Sequence, residues 1–247
     1  MRRLDELSTT DLAALLAGPR PVVALVPVGS VEPHGPHLPL GTDTLIGEGA
    51  IARAVARLAD ACEVVVAPAV PYGVTDFARG FAGAISVPAA VVTGLLRSIS
   101  ESLVGQGFSG VCLVSNHLEP AHDAAVRAAV AGLPQARVAS PLERRWARTL
   151  SDEFRSGECH AGRYETSIVL ACRPELVHAG RAALPDVPIS LSRGIQEGKD
   201  GFAAMGLVAA YAGAPRLATA AEGEAQLTRL ADMIETTVRE ALLGAGT

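Results

Sequence analysis

The stretch "PVVALVPVGSVEPHGPHLPLGTDT", residues 21–44, starts as an unbroken apolar run and ends as a polar loop rich in Gly and Pro. A run without polar alternation, such as "PVVALVPV" (21–28), is the pattern of a strand buried on both faces. Both faces are covered when the sheet is parallel, because each parallel crossover lays a helix over it. Thr42 then stands before an amphipathic stretch, where its hydroxyl suits a helix N-cap. The segment therefore reads as strand, loop and helix, the first part of a βαβ unit.

Working outward, the same pattern recurs. "GVCLVS" (110–115) is a second buried strand, and "EVVVAP" (63–68) and "ARVAS" (136–140) are shorter ones. Between them lie helical periodicities in "TDTLIGEGAIARAVARLADA" (42–61) and in "VPAAVVTGLLRSISESLVGQG" (87–107), the latter with Pro88 at its start and Gly at its end. A further helix is predicted after Pro120, and a long one closes the chain over about 218–243. Alternation of this kind predicts an α/β fold with a mostly parallel sheet and helices on both faces. No internal repeat, low-complexity segment or linker interrupts it, so residues 1–247 are expected to form a single domain.

Composition excludes several function classes. Of the 247 residues 19% are charged and 49% apolar, the balance of a chain with a packed core. The net charge is −5 and Lys199 is the only lysine, which argues against a nucleic-acid partner. No stretch has the length of a membrane span and "MRRLDELSTT" has no apolar core after its arginines, so no membrane partner and a cytoplasmic location are expected. The four cysteines (Cys62, Cys112, Cys159, Cys172) form no C-x-x-C pair and read as reduced thiols.

Chemistry concentrates after two strands. Ligands of open α/β sheets bind beyond the carboxyl ends of the strands. "GSVEPHGPHLPLGTD" leaves the first strand and "NHLEPAHD" (116–123) leaves the 110–115 strand, so the two loops are expected at one sheet edge. Together they offer Glu32, His34, Asp43, His117 and Glu119. A catalytic ion typically takes three protein ligands and keeps an open position, so five residues serve two ions if one carboxylate bridges. Asp43, apart from the Glu32/His34 pair, is the natural bridge. Imidazole with carboxylate suits Zn²⁺, Mn²⁺ or Fe²⁺ alike. Each residue taken singly also reads as an ordinary loop polar group; their coincidence on two loops favours ligation. His37 is expected to supply a supporting hydrogen bond, and His122 and Asp123 to lie in a first helical turn.

"PVGSVEPHGPHLPLGTDT" (27–44) closely resembles the signature of the creatininase family of metal-dependent amidohydrolases. Further segments match in order: "YGVTDFARGFAGAIS" (72–86), "HLE" (117–119), "HAGRYETS" (160–167) and "GAPRLATAAEG" (213–223). The resemblance implies a three-layer α/β/α sandwich, assembly as a homo-oligomer such as a hexamer, and two divalent ions. It implies that Glu32, Asp43 and His117 hold one ion and His34, Asp43 and Glu119 the other. His160 falls on the family's proton-transferring histidine. Glu165 falls on the Glu of the ETS motif, expected behind the ligands or on the substrate side.

The substrate-side positions depart from creatininase. Ser156 and Gly157 stand where it has Trp and Asp before its histidine, Leu118 replaces an aromatic residue, Thr75 replaces a Ser, and Ala78 replaces a His. The resemblance therefore implies an amidohydrolase other than creatininase, acting on a small-molecule amide with a non-peptide or modified-peptide C–N bond and using His160 as proton shuttle. The alternatives are a peptidase cleaving a small modified peptide in natural-product or cofactor biosynthesis, and a non-catalytic metal-binding homologue. "SRGIQEGKDGFAAMG" (192–206) reads as a loop that could cover the site, with Arg193 and Lys199 meeting a polar substrate.

Rival signals fail in context. "GQGFSG" (105–110) follows a helix and enters a strand, the reverse of a dinucleotide fingerprint. No G-x-S-x-G elbow is present. Cys159 and His160 are sequence neighbours, which seldom present side chains to one another as a nucleophile and base must.

Overall fold

The computed structural model describes residues 1–244. Five strands, β1 (Arg2–Arg3), β2 (Val22–Val28), β3 (Glu63–Val66), β4 (Gly110–Ser115) and β5 (Ala136–Ala139), form one sheet in the order β1-β3-β2-β4-β5. Every pairing within this sheet is parallel. The helices are α1 (Thr9–Leu16), α2 (Thr42–Arg57), α3 (Ala89–Gly105), α4 (Pro120–Val130), α5 (Arg144–Ala147), α6 (Asp152–Ser156), α7 (Arg163–Cys172), α8 (Leu191–Gln196), α9 (Phe202–Met205) and α10 (Ala220–Gly244).

β2 explains the layering. Val23 and Leu25 point into a core shared with α2, α7 and α10, while Val22, Ala24, Val26 and Val28 point into one shared with α3 and α4. Alternate side chains of a strand face opposite sides, so a continuous apolar run is what two buried faces require. Leu12, Leu15 and Leu16 of α1 complete the second layer. Helices on both faces of a parallel sheet make the three-layer α/β/α sandwich.

The expected strands and long helices all form, with ends shifted by a few residues. Three features differ from the sequence reading. Gly41, not Thr42, takes the N-cap position of α2; Thr42 is already helical and its hydroxyl donates to the Pro39 carbonyl at 2.7 Å. β1 was not foreseen, because two arginines carry no strand periodicity and are recruited by the free edge of β3. The 192–206 segment is not an open loop: it holds most of α8 and all of α9.

The topology places the site. From β2 the chain crosses to β3 on one side, then returns past β2 to β4 on the other. The crevice between β2 and β4 is thus a switch point, where open α/β sheets bind ligands. Val28 lies in register with Ser115, so the two polar loops leave neighbouring strand ends side by side. No helix among the described residues is long and apolar enough to cross a membrane. All four cysteines are free.

Candidate metal centre

Glu32 and His34 come from the loop after β2, Asp43 from the first turn of α2, and His117 and Glu119 from the loop after β4. All five are buried, with Glu32, His34 and Asp43 at 2% exposure or less. Asp43 sits close under the first loop because residue 29 is Gly: a Cβ there would lie 2.8 Å from the Asp43 Cβ. Its Oδ2 accepts the Ser30 N–H at 3.2 Å, which fixes the carboxylate plane.

Asp43 stands between two imidazoles. Its Oδ1 lies 3.2 Å from His34 Nε2, and its Oδ2 lies 3.1 Å from His117 Nδ1. Glu32 Oε1 is 3.3 Å from His117 Nδ1 and 3.7 Å from His34 Nε2. Glu165 Oε2 lies 3.6 Å from His34 Nε2. Three donor triads result: Glu32/Asp43/His117 and His34/Asp43/Glu165 both contain Asp43, and Glu32/His34/His160 does not.

The sequence reading pairs Glu119 with His34 and Asp43; in the structure the carboxylate clustered with those two is Glu165, 3.6 Å from His34 Nε2. Glu119 instead accepts N–H bonds from Asp76 at 3.1 Å and Phe77 at 3.2 Å, one on each oxygen. Glu165 reaches the centre from the first turn of α7, where Oε2 also accepts the Ala161 N–H at 2.7 Å. Ala161 makes this possible with a left-handed φ of 50°, an uncommon conformation for a residue with a side chain. Sequence spacing reveals nothing of this, since Glu165 lies more than a hundred residues from His34.

The imidazoles are oriented from behind. His34 Nδ1 donates to the Glu32 carbonyl at 3.1 Å, His117 Nε2 to the Val74 carbonyl at 2.7 Å, and His160 Nε2 to the Pro33 carbonyl at 3.0 Å. A carbonyl accepts only, so each bonded nitrogen carries a proton and the opposite nitrogen faces the centre. His34 Nε2 is buried with no hydrogen-bond partner. Thr75 Oγ1 donates to Glu32 Oε2. Thr75 is therefore placed against a carboxylate of the cluster rather than on the substrate side. His37 bonds Thr166 Oγ1 at 2.9 Å, the supporting contact expected of it. His122 and Asp123 lie in the first turn of α4.

Charge in this buried cluster is unbalanced without cations. Burial opposes a charged His34, but Asp43, Glu165 and Glu32 outweigh it and raise its pKa to about 10. His117 is raised well above its usual range against the same burial, by Glu32 and Asp43. Burial disfavours the Glu32 and Asp43 charges too; His117 more than compensates, holding Glu32 at about 2 and Asp43 far below the usual range. Burial pushes Glu165 up to about 8 and Glu119 up to about 7. Buried carboxylates demand compensating positive charge, which here is supplied by protons or by divalent ions. The donor chemistry, the bare His34 Nε2 and the 3.1–3.7 Å spacings fit ions. Ligands about 2.1 Å from a tetrahedral ion lie roughly 3.4 Å apart.

The centre forms the floor of a cavity of about 140 Å³. Phe77, Leu118, Leu142 and Phe154 wall it on one side, and Leu191, Ile195 and Phe202 of the α8–α9 segment cover it. That apolar wall was missed in the sequence, apart from Leu118. His160 is sandwiched, with ring centroids 4.6 Å from His34 and 4.4 Å from Phe202. Its Nδ1 is 3.8 Å from Glu32 Oε1. Ser156 is not in this cavity: its hydroxyl donates to the Glu153 carbonyl at 2.9 Å, and it borders a separate depression with Arg193 and Lys199. Neither cation reaches the centre, and Lys199 pairs with Glu197 at 2.9 Å. The segment thus covers the site, but through apolar residues.

Comparison with known proteins points to one family. The family model described as creatinine amidohydrolase matches residues 5–238. A mycofactocin precursor peptide peptidase of Mycolicibacterium smegmatis is 34% identical over 210 residues, covering 82% of this chain and 78% of that protein. The protein of the same description from Mycobacterium ulcerans is 35% identical over 222 residues, covering 84% and 81%. Among solved structures, a creatinine amidohydrolase superimposes with a TM-score of 0.74 at 20% identity, over 96% of each chain.

Proposed function

This chain belongs to the creatininase family as an amidohydrolase other than creatininase itself, and from that premise we propose that it is a dinuclear-metal peptidase cleaving an amide bond of a small precursor peptide. The observation that carries the reading is the pair of donor triads sharing Asp43 at the floor of an apolar cavity. The relatives at 34–35% identity are named as peptidases, which favours a peptide over a formamide or a cyclic amide. Related solved structures are described as "Creatininase Mn" and as a mutant of "Zn-Zn type", in line with Zn²⁺ or Mn²⁺ here.

Glu32, Asp43 and His117 would hold one ion and His34, Asp43 and Glu165 the other. Two such ions would supply Lewis acidity toward the amide carbonyl and acidify a water molecule beside it. The remaining chemistry belongs to the chain. The leaving nitrogen must gain a proton before the C–N bond breaks, and His160 is placed to carry it. Its Nε2–H is tied to Pro33, so Nδ1 is the atom that takes a proton from water and returns it to the amine. Burial, then the neighbouring His34 charge, lowers its pKa to about 4, so it rests in the base form at neutral pH. Phe202 and Ile195 exclude bulk water, and Leu118 leaves room where creatininase has an aromatic ring.

Hydrolysis by Zn²⁺- or Mn²⁺-loaded protein tests the proposal, with short peptides ending in apolar residues, formamides, cyclic lactams and creatinine as substrates. Peptide cleavage that chelation abolishes is the expected result. Creatinine turnover with intact peptides would overturn it.

A further inference from the structure

One strap of backbone, residues 73–77, touches three groups of the centre at once. The Val74 carbonyl accepts from His117 Nε2 at 2.7 Å, Thr75 Oγ1 donates to Glu32, and the N–H groups of Asp76 and Phe77 donate to Glu119. The strap is anchored at its outer edge, where Val87 N–H donates to the Gly73 carbonyl at 2.8 Å and Thr75 N–H to Ser86 Oγ at 3.0 Å. At its inner edge the Val74 N–H donates to a side chain, His122 Nδ1, at 3.3 Å. His122 is fully buried on α4, and its ring meets that of His117 edge-on with centroids 4.7 Å apart. Residue 73 must be Gly for this ring to fit, since a Cβ there would lie 2.5 Å from Nδ1.

We propose that His122 is a positioning residue for the centre, holding the 73–77 strap through Val74 so that His117 and Glu119 keep their orientation. The inference rests on the metal reading above. Val74 presents its carbonyl to a candidate ligand and its N–H to His122, so a shift of the peptide plane at its N–H side carries over to the carbonyl next along. Buried N–H groups are almost always paired, and an apolar ring in place of His122 would leave this one free to turn away in search of a partner. The His117 imidazole would follow. His122 itself touches neither ion nor substrate in this arrangement.

The test uses Co²⁺ alone as probe, on the full chain. Chelator competition gives its affinity, and the visible spectrum reports the geometry of the Glu32/Asp43/His117 position. His122→Phe keeps an aromatic ring, somewhat larger than imidazole, and removes the acceptor. Removing contacts behind metal ligands typically weakens binding 10–100-fold, and about tenfold is expected here, with an altered spectrum, because His122 acts one residue removed. His122→Asn restores an acceptor oxygen and should recover most of the loss. A role in packing alone predicts wild-type affinity and spectrum for His122→Phe, and that result overturns the proposal. Wild type that binds no Co²⁺ removes the metal reading and this inference with it. Should His122→Phe not fold, nitrogen-15 NMR of wild type decides: the proposal requires the proton on His122 Nε2 and a protected Val74 amide, and a proton on Nδ1 refutes it.

Discussion

Glu165→Gln separates the ligand set seen in the structure from the one expected from the sequence. The substitution keeps the shape of the side chain and an oxygen to accept the Ala161 N–H, so α7 should start as before. What it removes is the negative charge that Glu165 would carry, 3.6 Å from His34 Nε2, once an ion has displaced its proton. At an effective dielectric of 20, that charge is worth about 4.6 kcal/mol to a unit positive charge at this distance. A difference of that size is on the order of 10³-fold in affinity, and a divalent ion between the two groups gains at least as much. Glu165→Gln should therefore lose the ion held with His34 and keep the one held with His117. Glu119→Gln should keep both, since Glu119 is bound to backbone amides outside both triads. Asp43→Ala should lose both. The assay is elemental analysis after dialysis against limiting Zn²⁺, with wild type near two ions per chain. Two ions in Glu165→Gln together with one in Glu119→Gln would refute the assignment and restore the pairing of Glu119 with His34 and Asp43.

Metal affinity should rise with pH between about 6 and 8. His34, at about 10, and Glu165, at about 8, both hold protons in that window, and the ion must displace them. The affinity should gain nearly a hundredfold per pH unit below 8 and less above it, as Glu165 ionises first; calorimetry in several buffers would show it, and a flat profile would contradict it. His160→Ala should retain metal and fold but lose on the order of 10²–10⁴-fold in turnover, the usual worth of a positioned acid–base group, as steady-state kinetics would register. Ser156→Ala, outside the cavity, should leave kcat and KM within about twofold of wild type, in line with surface substitutions. Phe202→Ala uncovers His160 and should lower kcat more than Ser156→Ala does, with metal content unchanged.

Much of this protein is determined by sequence-local physics. The apolar runs at 22–28 and 110–115 have the pattern of strands with two buried faces, and helices between such strands favour a parallel sheet. That sheet sends the loops carrying Glu32, His34, His117 and Glu119 to one edge, so the neighbourhood of the centre was legible before any coordinates. The signature in residues 27–44 added the family, which the comparisons bear out. Roles within the neighbourhood were decided by the tertiary structure alone. Whether Glu119 or Glu165 faces His34 depends on which backbone N–H groups claim each carboxylate first: Asp76 and Phe77 take Glu119, while a left-handed Ala161 turns Glu165 inward. Thr75 moved from substrate to Glu32 and Ser156 out of the cavity for the same kind of reason, a hydrogen bond to a distant or unforeseen partner. The cover over the site formed from Leu191, Ile195 and Phe202 because short helices with few local contacts take their shape from the surface they pack on. Periodicity reports what a residue's own element requires of it; the partner that satisfies a buried polar group comes from elsewhere in the chain, and only folding brings the two together.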